Sequence, residues 1–102
     1  MSRLLTDEEI TRQLAALTGW SRDGDTIRSA YRTTTFADAI KFVRLVAVDA
    51  DDMDHHPDIE ISYTAVRWAL STHSEGGITQ LDIELAHRIV EDADELDAKI
   101  TS

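Results

Sequence analysis

Cysteine is absent from the 102-residue chain. That excludes disulfides, zinc ribbons and thiol catalysis, and it fits a reducing cytoplasm. Proline occurs once and glycine four times, and 42% hydrophobic with 29% charged residues are globular proportions that argue against disorder. No apolar run approaches the ~18 residues of a membrane span. The N-terminus turns acidic by Asp7, where a signal peptide would still need its apolar core. Basic residues are scarce: 10 Lys and Arg face 20 Asp and Glu, for a formal charge of −10. This argues strongly against nucleic-acid binding, which clustered Lys and Arg supply, and disfavours anionic membrane surfaces for the same reason. The expectation is a soluble, cytoplasmic single domain over residues 1–102, small enough that oligomerisation could add to its stability.

What is present reads as helix, hairpin, helix, hairpin, helix. Thr6 with Glu9 forms a capping box, Leu5 can staple onto Ile10, and Ile10, Leu14 and Leu17 share a face that Gly19 ends. Trp20 to Arg22 and Thr26 to Thr33 predict a hairpin around Asp23 and Gly24. A second helix starts at Thr34 or Thr35, with an apolar stripe of Phe36, Ala39, Ile40, Val43, Val46, Ala47 and Ala50. Phe42, Leu45 and Val48 lie off that stripe, so more than the helix's own sheet is expected to cover it, a partner subunit being one way. Ile59, Ile61 and Tyr63 alternate with Glu60 and Ser62, and Val66, Trp68 and Leu70 with Arg67, Ala69 and Ser71, giving a second hairpin with its turn near Thr64 and Ala65. A third helix is capped by Thr79 with Asp82 and carries Ala86, Ile89, Ala93, Leu96 and Ile100 down one face. The acidic run Glu91, Asp92, Asp94, Glu95 and Asp97 reads as a solvated side. The predicted class is α+β, a four-stranded antiparallel sheet with three helices on one face (α-β-β-α-β-β-α).

Three of the four histidines fall between Asp51 and Asp82: His55, His56 and His73. Imidazole titrates near neutrality, so two that lie close together can share general acid and general base roles. A turn centred between Thr64 and Ala65 puts His56 opposite His73 at one end of the hairpin. Asp51 or Asp54 could raise a neighbouring histidine's pKa or fix its tautomer; the residues do not say which. A competing reading is a metal site, for which three imidazoles and a carboxylate are an adequate ligand set. Two adjacent histidines and a third 17 residues on match no familiar zinc spacing, however, so acid/base chemistry ranks first. Ordinary polar surface roles for all three remain the plain alternative.

Asp51, His55, His56, Pro57, Tyr63, His73 and Asp82 at these spacings resemble the signature of the pterin-4a-carbinolamine dehydratases. The run LSTHSEGGITQLD from Leu70 to Asp82, and Gly19 with Trp20, look like the same family. The resemblance implies dehydration of 4a-hydroxytetrahydropterin to quinonoid dihydropterin in tetrahydrobiopterin recycling, with no metal and no cofactor. It also implies a homodimer or homotetramer. Carried across, His55 and His73 are the acid/base pair and His56 binds and orients the pterin, which makes these three the candidate catalytic residues. Asp51, Asp54, Trp20 and Asp82 are candidate substrate-binding or supporting residues. Asp82 is fully explained as a cap, and Trp20 has a core role as its plainer reading. Trp68 and Tyr63 read as core or interface, His87 as surface, and Asp58 stands where the family commonly has Glu. The other function weighed is a non-catalytic pterin-binding or protein-assembly factor of the same fold.

Overall fold

The Thr6 hydroxyl accepts from the Glu9 amide at 3.2 Å while the Glu9 carboxylate accepts from the Thr6 amide at 2.9 Å, so the chain enters its first helix through the expected capping box. The structure is a computed structural model, and it describes residues 3–101. Helix α1 (Asp7–Leu14) is followed by strand β1 (Ser21–Asp23) and strand β2 (Thr26–Arg32). Helix α2 (Phe36–Met53) then leads to β3 (Asp58–Ser62) and β4 (Ala65–Leu70). A short 3-10 turn (His73–Glu75), helix α3 (Gln80–Glu95) and β5 (Lys99–Ile100) complete the fold.

The sheet is antiparallel with strand order β1-β2-β4-β3, and β5 joins it beside β2. Among the described residues it therefore has five strands, not the four expected. The apolar spacing of Leu96 and Ile100 predicts a longer last helix than forms. The helix stops at Glu95, Asp97 turns the chain with φ 58°, and Lys99 and Ile100 pair with Arg32 and Tyr31. The first helix is also shorter than its apolar period, ending at Leu14; turns then carry the buried Leu17 to Gly19. Gly19 has φ 85°, and a Cβ there would lie 2.5 Å from Ile100 Cδ1, so the returning C-terminal strand needs a residue without a side chain at this point.

Alternate residues of β2 and β4, Ile27, Tyr31, Val66, Trp68 and Leu70, are buried with Phe42 and Val46 of α2 and Ile83, Leu85 and Ile89 of α3. Phe42 sits edge-on between Tyr31 and Trp68, with ring centroids 5.4 and 5.1 Å away, a geometry worth ~0.5–1.5 kcal/mol per pair beyond area burial. This corrects part of the expected face of α2, of which Ala39, Val46 and Ala50 are buried as expected. Ala39, Phe42, Val46 and Ala50 are buried, whereas Phe36, Ile40 and Ala47 are exposed, as is the off-stripe Val48. On a helix apolar nearly all round, spacing alone does not choose the inward side.

The second hairpin turns one residue earlier than expected. Ser62 faces Ala65, so Tyr63 and Thr64 form the turn, with Tyr63 at φ 53° and exposed. The amide of Thr33 donates to the Thr64 carbonyl at 2.8 Å, which pins the turn to the end of β2. His56 and His73 consequently lie beyond the paired residues of β3 and β4 and do not face each other in the ladder. Strand β3 is an edge strand with all five residues exposed. Among the described residues no helix is long and apolar enough to cross a membrane.

Candidate active site

Helix α2 ends in a reversal that sends two adjacent histidines in different directions. Asp54 adopts the left-handed conformation (φ 49°, ψ 44°), one that Asp tolerates better than most residues, and its amide and that of His55 return to carbonyls of the last helical turn. His55 is thereby turned inward to 8% exposure, while His56 stays outside. Pro57 follows and leads into β3.

Inside, the His55 ring meets the N-terminus of α3. Its Nε2 lies 2.6 Å from Oδ1 of Asp82, whose side chain is fully buried. The other oxygen, Oδ2, accepts from the Thr79 amide at 2.9 Å and from the Thr72 hydroxyl at 2.9 Å. Asp82 thus caps the helix, as its spacing predicts, and also holds an imidazole. Oδ2 already accepts two hydrogen bonds, and with the carboxylate acting as acceptor at Oδ1 as well, the donor in the short contact is His55 Nε2. A carboxylate at a helix N-terminus is further favoured by the positive end of the helix dipole.

His73 opens the 3-10 turn directly after Thr72 and is exposed. Its position is fixed by backbone. The Thr72 amide donates to the Gly77 carbonyl at 2.8 Å, and the Glu75 amide returns to the Thr72 carbonyl at 3.0 Å. His55 and the turn bearing His73 are therefore linked through Asp82 and Thr72. His56 Nε2 lies 2.9 Å from Asp51 Oδ1, but both side chains are well exposed, so this pair contributes little to stability. Asp54 shapes the reversal and makes no side-chain hydrogen bond among the described residues. Trp20 belongs to the core, its indole N–H donating to the Tyr31 hydroxyl at 3.1 Å. His87 is exposed on α3. Among the described residues no group of three or more His, Asp or Glu is arranged to hold a metal ion. A cleft of about 270 Å³ lies elsewhere, between Gly19, Arg28, Arg67 and Thr101, and contains none of the histidines.

Thr72 and Thr79 were not legible as parts of this site. Both fall in the run from Leu70 to Asp82 that resembles the family, but that resemblance gives them no role, and a cap explains its own residues without pointing to an imidazole.

The family model described as pterin 4 alpha carbinolamine dehydratase matches residues 3–91. A relative named as a pterin-4-alpha-carbinolamine dehydratase from Mycobacteroides abscessus is 51% identical over 86 residues, covering 84% of this chain and 92% of that one. One of the same name from Sulfolobus acidocaldarius is 42% identical over 85 residues, covering 83% and 93%. The crystal structure titled transcriptional coactivator/pterin dehydratase from Brucella melitensis superposes with a TM-score of 0.85 at 35% identity, covering 87% of this chain and 97% of that one. A pterin dehydratase-like protein described as a RuBisCO assembly factor in the alpha-carboxysome shares the fold, with a TM-score of 0.60 at 17% identity over 72% and 86%.

Proposed function

The chain belongs to the pterin 4 alpha carbinolamine dehydratase family, and from that premise we propose that it dehydrates a 4a-hydroxytetrahydropterin to the quinonoid dihydropterin by histidine acid/base catalysis. The observation that carries the mechanism is the 2.6 Å contact between His55 and the buried Asp82. In the reaction the N5–H bond breaks, its electron pair forms the N5=C4a double bond, and the C4a–O bond breaks as the hydroxyl takes up a proton and leaves as water. No oxidant or reductant is consumed.

His55, with its proton held on Nε2, offers Nδ1 as the acceptor for the N5 proton, and Asp82 stabilises the imidazolium that forms. His73 donates to the departing hydroxyl. Proton transfer of this kind contributes ~10²- to 10⁴-fold in rate. His56, exposed and held by Asp51, orients the pterin. The product serves a route that returns tetrahydropterin to hydroxylases using it as a reductant, in a reducing cytoplasm that suits a chain without cysteine.

The assembly is a homodimer or homotetramer. Exposed Phe36, Ile40 and Val48 on α2 and the unpaired edge of β3 support this, since a monomer leaves both uncovered. The test of the function is dehydration of a freshly generated 4a-hydroxytetrahydropterin, followed by absorbance, with a chelator present and no metal added. Acceleration over the uncatalysed rate is expected. Tight pterin binding with no turnover would instead favour a non-catalytic factor, and loss of activity on chelation would favour a metal site.

A further inference from the structure

Proton counting around Asp82 gives each hydroxyl a single direction. Asp82 Oδ2 accepts, so the one proton of the Thr72 hydroxyl, 2.9 Å away, is committed to it. Thr72 Oγ1 and Thr79 Oγ1 are 2.7 Å apart, and with the Thr72 proton already used, Thr79 is the donor in that contact. Thr79 Oγ1 in turn accepts from the Leu81 amide at 3.2 Å. The chain of donors therefore runs from Leu81 through Thr79 and Thr72 to Asp82, whose remaining oxygen receives His55 Nε2. Thr72, Thr79 and Asp82 are all buried, so water does not substitute freely for any link.

We infer that Thr72 is a positioning residue whose hydroxyl, acting through Asp82, holds His55 in the tautomer with its proton on Nε2 and its lone pair on Nδ1. The Thr72 hydroxyl and the Thr79 amide, reaching Oδ2 from two segments of chain, fix the rotation of the carboxylate and so the aim of Oδ1. Without the hydroxyl, Oδ2 keeps one of its two donors, and the carboxylate gains freedom to rotate away from its aim at His55 Nε2. Thr72 also precedes His73 and is hydrogen-bonded to Gly77 through both its amide and its carbonyl. One residue thus sets the state of one imidazole and the position of the other. This inference rests on the dehydratase reading only for its kinetic consequence; the tautomer is a property of the protein without substrate.

The test compares Thr72→Val, which keeps the shape and removes the donor, with Thr72→Ser, which keeps the donor. Nitrogen NMR of the histidine rings in substrate-free protein should show His55 with a protonated-type Nε2 and a lone-pair-type Nδ1 in the unsubstituted and Ser proteins, and partial averaging of the two in Thr72→Val. In the dehydration assay, Thr72→Val should lower kcat about tenfold or more with KM within about twofold, and Thr72→Ser should restore it, because the loss is one of proton transfer and not of pterin binding. Should Thr72→Val not fold, Thr72→Ala carries the same readout. A folded variant lacking the hydroxyl with an unchanged His55 spectrum and unchanged kcat overturns the inference. An averaged spectrum in a protein that never shows turnover supports the Thr72 assignment and refutes the dehydratase reading. Turnover with an unchanged spectrum in the variant does the reverse.

Discussion

His55 Nε2 and Asp82 Oδ1 are 2.6 Å apart in a contact almost closed to solvent, which ties the end of helix α2 to the start of helix α3. Two contacts meet in that one carboxylate: it caps a helix, and it holds the ring of His55.

Replacing Asp82 by Asn separates them. An amide presents an oxygen on one side and a donor on the other, so it satisfies either the Thr72 and Thr79 donors or His55 Nε2–H. Asp82→Asn is expected to lose ~1–3 kcal/mol of stability, the scale for a buried hydrogen bond to a charged group. It should also lower kcat by ~10²- to 10⁴-fold through the wrong histidine tautomer. Denaturant unfolding and single-turnover kinetics measure the two losses independently. A variant less stable but fully active would show that the carboxylate only caps the helix.

Away from the site, Asp92 of α3 faces Asp49 of α2. Burial first, then its hydrogen bond to Asp49 and the charges of Asp49, Glu95 and Glu91, push the Asp92 carboxyl up to about 8. Asp49 Oδ2 and Asp92 Oδ2 are both buried and find no donor among the described residues. Arg88 comes no nearer to Asp49 than 3.8 Å and gives its short contact, 2.9 Å, to Asp52. Folding therefore takes up a proton at pH values between the ordinary 3.8 and about 8. The folded pKa is raised, so the contribution is full below the unfolded value and is lost as pH rises toward the folded one. Asp92→Asn, which supplies a permanent donor to Asp49, should flatten this decline and raise Tm relative to the unsubstituted protein at about pH 9, with little effect at about pH 5. Parallel Tm profiles for the two proteins would contradict the raised Asp92 carboxyl.

At Gly19 the prediction concerns the fifth strand. Gly19→Ala should cost ~1–2 kcal/mol for the left-handed backbone alone, and more for the collision with Ile100. Ile100→Ala should relieve the collision but not the backbone strain, so the double variant is expected to be less destabilised than the sum of the two single ones. Strict additivity would mean that β5 does not press on Gly19.

Much of this fold is written locally. The boxes at Thr6 with Glu9 and at Thr79 with Asp82, the Thr35 cap of α2 and the Gly24 turn each depend on residues within about one turn of one another, and all four form. The misread features depend on distant partners or unsignalled backbone. Tyr63 and Asp97 take positive φ where no Gly marks the turn, and this moved one hairpin and hid β5. Phe42 points inward from α2 and Ile40 does not, because Tyr31 of β2 and Trp68 of β4 receive the Phe42 ring, and those partners are distant in sequence. In the site, spacing drew attention to His55, His56 and His73. The pairing of His55 with Asp82, and the part played by Thr72, required the third dimension.

The most direct measurement is the rate of 4a-carbinolamine dehydration, with chelator present, for the unsubstituted protein, His55→Ala and His73→Ala, each shown folded by circular dichroism. The account predicts metal-independent acceleration by the unsubstituted protein and a loss of ~10²- to 10⁴-fold in each variant. Equal rates in all three proteins would contradict it.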